Sequence, residues 1–162
     1  MNTPNPTKQK QTRVLAIASG GGHWMQLLRL RPAFEGCAVH YATVDASQRD
    51  AVEAEGFHVF RDANRDRKFD LLLQILQVLW LLLRLRPDAI VSTGASCGYV
   101  AVRIGRLFGC RTLFIDSVAN AEQLSLSGAL AERHADLMLT QWPHLAAGRT
   151  DGVGARYGGS VI

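Results

Sequence analysis

From residue 14 onward the sequence alternates short apolar blocks with longer amphipathic ones. VLAIA (14–18), VHYATV (39–44), FHVF (57–60), AIVST (89–93), TLFID (112–116) and LMLTQW (137–142) have strand length and read as strands. Between them the pattern lengthens to helical spacing. It predicts a helix near 23–31 stopped by Pro32, one over 47–56 closed by Gly56, and a long one over 70–86 stopped by Pro87. Another covers 98–108 and ends at Gly109, and a last one, capped by Ser127, runs through about His134. RDANRDRK (61–68) reads as a charged loop and ARYGGSVI (155–162) as a final turn with a short strand.

Strand, helix, strand, helix throughout implies an α/β fold, a Rossmann-like parallel sheet with helices on both faces. Residues 1–13 read as a disordered basic tail and 14–162 as a single domain, the size a chain of 162 residues supports. Ligands of such sheets bind at the carboxyl ends of the strands. Two glycine-bearing segments fall there. The first is Ser19-Gly20-Gly21-Gly22-His23, after the first strand; the second is Ser92-Thr93-Gly94-Ala95-Ser96-Cys97-Gly98, after the fourth. Glycines let backbone N–H groups approach a phosphate, and a following helix presents its positive end. Tight strand-to-helix turns also need small residues for their own sake. Neither segment has the spacing of a dinucleotide fingerprint or of a lysine-bearing phosphate loop, and only Asp45 stands at a second strand end where a ribose is held.

Charge and composition narrow the picture. The formal net charge is +4, but Lys8, Lys10 and Arg13 precede the first strand, so the rest is near neutral. That argues against nucleic acid as a partner. Cys37, Cys97 and Cys110 are odd in number and widely spaced, the usage of a reducing, cytoplasmic compartment, and no signal peptide is visible. No cluster has metal-ligand spacing. His23, at the mouth of the first glycine segment, can contact phosphate or move a proton, and is also an ordinary residue for a helix start. Asp116, ending the fifth strand, can orient a hydroxyl or cap a turn. His40, His58 and His134 read as structural, and His144 as surface. Cys97, at a helix start, is a candidate activated thiol that lacks a partner histidine.

The long helix is unusual. In LLLQILQVLWLLL (71–83) only Gln74 and Gln77 are polar, and Asp70, Gln74, Gln77 and Arg84 share one stripe of roughly 80°. The remaining circumference exceeds what one sheet face covers, yet the run is too short and interrupted for a membrane span. It reads as a core helix, a subunit interface or a membrane-surface helix. In the last two cases Leu72, Ile75, Leu79, Trp80, Leu82 and Leu83 make the contact, with Arg84 and Arg86 facing anionic headgroups.

Taken together, SGGGHWMQLL (19–28), RDANRD (61–66), the run from Arg86 to Leu145 and YGGSVI (157–162) resemble the PssD-type proteins of bacterial capsule and exopolysaccharide synthesis. These are similar to the membrane-recruiting subunit of the split eukaryotic N-acetylglucosaminyltransferase acting on dolichol-linked sugar, and to the amino-terminal half of MurG. The resemblance implies half of a GT-B glycosyltransferase, the half that holds the lipid-diphosphate-linked sugar acceptor at a membrane surface. A separate PssE-type subunit then binds the UDP-sugar donor, and this chain binds no cofactor or metal itself. The implied chemistry is inverting transfer by a complex peripheral on the inner face of the cell membrane. Carried onto this sequence, Gly20, Gly21, Gly22 and His23 match the first glycine loop, and Thr93, Gly94 and Gly98 the second. Asp116 and Ser117 match a strand-end segment facing the cleft, and Asn64 and Arg65 a recurrent motif. The expected catalytic residues are His23 and Asp116; the expected diphosphate ligands are Ser19, Gly20, Gly21, Gly22, Thr93, Gly94, Ser96 and Gly98. A stand-alone nucleotide- or sugar-nucleotide-binding protein, or a pure membrane scaffold for a complete enzyme, is the alternative.

Overall fold

Successive side chains of β1 (Arg13–Ile17) leave the sheet on opposite faces. Leu15 and Ile17 enter one core, Val14 and Ala16 the other, so both faces of this strand are covered. The computed structural model describes residues 11–63, 68–146 and 154–160. In it β1 is joined by β2 (Ala38–Thr43), β3 (Gly56–Val59), β4 (Ala89–Ser92), β5 (Arg111–Ile115), β6 (Leu137–Thr140) and β7 (Arg156–Tyr157). All pairs are parallel, in the order β3-β2-β1-β4-β5-β6-β7. The order reverses between β1 and β4, and the carboxyl ends there open into the crevice where doubly wound sheets bind ligands.

One face carries α1 (Gly21–Arg29), whose Trp24 and Leu27 are buried against Val14, Ala16 and Tyr41. The other carries α2 (Lys68–Leu85) and α3 (Ala95–Leu107), with α4 (Leu126–Ala131) beyond. α3 lies close on β4, because a Cβ at Gly98 meets Ser92 and one at Gly105 meets Ile90.

Several expectations shift. The first strand starts one residue earlier than expected: Arg13 already belongs to the sheet, its amide bonding Asp88 Oδ2 at 2.8 Å and its guanidinium the Leu85 carbonyl at 2.9 Å. Residues 1–10 lie outside the described residues. The helix expected over 47–56 is a 3-10 segment, Ala46–Ala51. Its stretch has too few apolar residues to bury a helical stripe, and Asp45 draws Ser47 and Gln48 into a tight turn instead. Gly56 opens β3 rather than closing a helix, and a Cβ there collides with His40. α4 is capped by Ser125, whose hydroxyl accepts the Gly128 amide at 2.9 Å, not by Ser127.

His40 and His58 face each other across β2 and β3, with Nδ1 and Nε2 3.3 Å apart. Burial holds both below the ordinary histidine value; for His58 its partner, Arg84 and Arg49 add to the effect, and for His40 Arg13 adds while Glu55 opposes. The unfolded chain therefore binds more protons than the folded one once pH drops below about 6.5. Stability should be at its full value above that pH and fall steadily as acidification proceeds. Denaturant midpoints measured between neutral and mildly acidic pH check this, and H58Q should flatten the acid limb.

Candidate functional site

The turn after β1 and the turn after β4 meet at the carboxyl edge of the sheet. Gly21 has a φ of +62°, which side-chain-bearing residues rarely adopt, and it turns the chain directly into α1. Positions 21 and 22 are exposed, with open space where a Cβ would stand. Neither α1 nor α3 has a side-chain cap, and the exposed start of α1 at Gly21 and Gly22 offers first-turn N–H groups to an anion. Both helices begin earlier than predicted, at Gly21 and Ala95, which puts His23 within the first turn of α1 and Gly98 within α3.

His23 and Thr93 hold each other. The Thr93 hydroxyl donates to the His23 carbonyl at 2.6 Å, and His23 Nδ1 lies 2.9 Å from the Thr93 carbonyl oxygen. A carbonyl only accepts, so Nδ1 carries the proton and Nε2 of the neutral ring is left as a lone pair. Gly94 makes the arrangement sterically allowed: a Cβ there runs into the His23 imidazole, and its φ is +133°. Ala95 follows at φ +67°, a strained value for alanine, at the rim of the same cavity.

That cavity is about 350 Å³ and is lined by His23, Ser96, Ser117, Asn120, Ser125 and Ser127, with Ala63, Ala95, Ala119 and Leu126. Its far wall is the loop between β5 and α4, which is tied down at many points. Asp116, only 1% exposed, accepts the Asn120 side-chain amide at 3.2 Å and the Ser125 backbone amide at 2.8 Å. Trp142 Nε1 donates to the Val118 carbonyl and His144 Nε2 to that of Ala121, at 2.8 and 2.7 Å. Beneath, Gln26 Nε2 donates to Ser117 Oγ, and Gln141 Nε2 to both Gln26 Oε1 and the Asp116 carbonyl. A larger hollow of about 640 Å³ beside the 3-10 crossover lies among Arg31, Glu35, Asp50 and Glu53, away from both glycine turns.

Gly20, Gly21, Gly22, His23, Thr93 and Gly94 are thus brought together, and Ser96 and Ser117 line the cavity. Ser19 stays half-buried on the β2 side, where its carbonyl accepts the Thr43 hydroxyl. Thr93 is fully buried and its hydroxyl is used on His23. Gly98 packs on Ser92 inside the fold. Asp116 was expected to face the cleft, but both its carboxylate oxygens are engaged in shaping the loop. Cys97 is buried, and desolvation pushes its thiol up to about 12, which removes thiolate chemistry there. Asn64 and Arg65 lie outside the described residues. Asn120, Ser125, Gln26 and Gln141 were not anticipated; the four-residue step from Asp116 to Asn120 was the available signal. Among the described residues no three histidine, cysteine or carboxylate side chains gather as a metal centre.

On α2 the exposed face is the apolar one. Phe69 (68% exposed), Leu72, Leu76, Trp80 (57%) and Leu83 recur at helical spacing along it. The Arg84 guanidinium stacks 5.2 Å above Trp80, and Arg86 is exposed. Ile75 and Leu79 are half-buried. Leu82, expected on this surface, sits in the core with Val78 and Leu81, because it points toward α3 and the sheet. Phe69 and Leu76 take its place. Among the described residues no helix is long and apolar enough to cross a membrane.

The fold has solved counterparts. MurG of Acinetobacter baumannii superposes with a TM-score of 0.70 at 16% identity, over 92% of this chain and 46% of that one. A UDP-N-acetylglucosamine 2-epimerase from Rickettsia bellii gives 0.71 at 12%, over 94% and 46%. This chain therefore spans about half the length of those structures, and its architecture is a GT-B-like Rossmann domain. The sequence model of the family described as "Oligosaccharide biosynthesis protein Alg14 like" matches residues 69–155. The chain belongs to that Alg14-like family. Proteins named "UDP-N-acetylglucosamine transferase subunit ALG14" from Mus musculus and Homo sapiens are each 23% identical, over 86% of this chain and 79% of theirs.

The His23 clamp has a direct spectroscopic signature. Nitrogen-15 NMR of the neutral side chain should report the Nδ1-protonated tautomer. G94A should abolish that preference and destabilise the fold by about 1–3 kcal/mol.

Proposed function

We propose that this chain is the acceptor-binding subunit of a two-chain inverting GT-B glycosyltransferase in polysaccharide or lipid-linked oligosaccharide biosynthesis. The observation that carries the proposal is the orientation of His23, whose Nε2 lone pair borders a polar cavity between two uncapped helix starts. The diphosphate of a lipid-linked sugar rests on the amides of Gly20, Gly21 and Gly22, where the helix dipole favours negative charge. The sugar extends into the cavity. A separate, PssE-type subunit brings the UDP-sugar, so no cofactor or metal is asked of this chain.

Transfer then needs a base on this side of the cleft. As the acceptor hydroxyl oxygen forms its bond to the donor's anomeric carbon, the bond to the nucleotide diphosphate breaks and the hydroxyl proton passes to His23 Nε2. The Thr93 carbonyl stabilises the imidazolium through Nδ1–H, and such a base contributes typically 10²–10⁴-fold. Asp116 acts on geometry alone, by fixing the loop that carries Ser117 and Ser125.

The apolar stripe of α2, with Arg84 and Arg86 beside it, supports peripheral attachment to the inner, anionic face of the cytoplasmic membrane. Phe69 and Leu72 lie at the end of α2 that follows Ala63, so insertion there keeps the cavity near the headgroup layer.

Label transfer from a UDP-sugar panel into membranes carrying lipid-diphosphate-linked acceptor tests the proposal. Transfer is expected only when this chain and its nucleotide-sugar-binding partner are both present, and H23A should reduce it at least 100-fold. Transfer by either chain alone contradicts the two-chain reading. In vesicle flotation, L76D combined with W80D should lower binding to anionic liposomes at least tenfold and leave thermal stability nearly unchanged.

A further inference from the structure

Gln74 is a glutamine in the most apolar helix of the chain, and it is 1% exposed. Its Nε2 donates to the Arg61 carbonyl at 3.0 Å, which fixes the amide's orientation because that carbonyl can only accept. Its Oε1 therefore faces Ser96 Oγ, 3.2 Å away. Oε1 has no proton to give, so the Ser96 hydroxyl must donate to it. Around the same segment the Arg61 amide donates to Gln77 Oε1 at 3.0 Å, and the Arg61 guanidinium meets Asp70 at 3.5 Å. The polar stripe of α2 thus grips the chain leaving β3 and turns one cavity hydroxyl.

The consequence reaches the ligand. With its proton committed inward, Ser96 Oγ shows the cavity only lone pairs, as neutral His23 Nε2 does. Ser117 Oγ has the opposite character, since it accepts from Gln26 Nε2 at 3.1 Å and from the Ala119 amide at 3.3 Å, leaving its own proton to give. An ionised phosphate brings only acceptors and cannot satisfy Ser96 Oγ. A polyol, with hydroxyls that both donate and accept, satisfies both walls.

We infer that Ser96 is a specificity-determining residue that accepts a hydrogen bond from a non-reacting hydroxyl of the acceptor sugar, and that Gln74 is the positioning residue that makes it an acceptor. This rests on the acceptor-subunit reading and replaces the assignment of the Ser96 side chain to the diphosphate.

The test measures equilibrium binding to the two-chain complex of farnesyl-diphosphate-linked glucose and N-acetylglucosamine, with monodeoxyfluoro analogues at each ring hydroxyl. Fluorine accepts but cannot donate. The wild type should prefer hydroxyl over fluorine about 3- to 10-fold at one position, the size of one neutral hydrogen bond. S96A should lose that preference. Q74L frees the Ser96 proton and should reduce it below about twofold. Q74E, able as the protonated acid to donate to Arg61 and accept from Ser96, should restore it. The inference is overturned if S96A or Q74L keeps the wild-type preference, if Q74E fails as Q74L does, or if no probe binds. Transfer by the wild-type complex is scored separately: binding with the predicted preference but without transfer contradicts the glycosyltransferase reading and leaves Ser96 as a sugar contact.

Discussion

The reciprocal bond between His23 and Thr93 is the constraint on which the site depends. It joins the turn after β1 to the turn after β4, the two strands at which the sheet reverses its order. Each partner fixes something in the other. The hydroxyl of Thr93 fixes the backbone of α1's first turn, and its carbonyl fixes which imidazole nitrogen carries the proton. Gly94 has no side chain because the imidazole occupies that space. Strain at Ala95 sits beside this contact and is held there by the rest of α3, whose packing on β4 is close enough to exclude side chains at two positions.

α2 shows how burial can invert a helical wheel. A sparse polar stripe on an apolar helix ordinarily marks the solvent side. Here the glutamine at its centre is buried, because the chain leaving β3 presents unpaired backbone groups that an aliphatic side chain cannot satisfy. The apolar residues then cover two directions. Val78, Leu81 and Leu82 fill the core, while Phe69, Leu72, Leu76, Trp80 and Leu83 face outward. These five exposed residues recur at helical spacing and so form one stripe rather than scatter. One helix thereby links an apolar surface to a hydroxyl in the cavity.

Much of this was legible in the sequence, and the limits have physical causes. Six strands and the parallel α/β class followed from apolar blocks of strand length, since buried parallel strands need both faces apolar. The glycine turns and His23 were visible because few other reasons place three glycines before a helix. The 47–56 segment misled because Glu, Ala, Gln and Arg favour helix locally, whereas Asp45 and the β3 register decided the outcome. Gly98 looks like the open start of a helix because spacing alone does not reveal that the helix begins at Ala95 and that Gly98 packs on Ser92. Asp116 looked catalytic because strand-end carboxylates face clefts; only the positions of Asn120 and Ser125 reveal that its oxygens are taken. Ser96 drew attention for its hydroxyl, but its proton's direction depends on Gln74, 22 residues away in sequence.

Ligand is proposed to meet this chain at the carboxyl edge of the sheet, between the two glycine turns and the β5–α4 loop. Amide hydrogen exchange on the two-chain complex, with and without a farnesyl-diphosphate-linked sugar, tests it most directly. Slowed exchange is expected in residues 19–23, 93–98 and 117–127, with the rest of the sheet unchanged. Protection confined to the opposite edge, around Leu83, Phe108 and Arg111, or to the hollow beside Arg31 and Asp50, would contradict it.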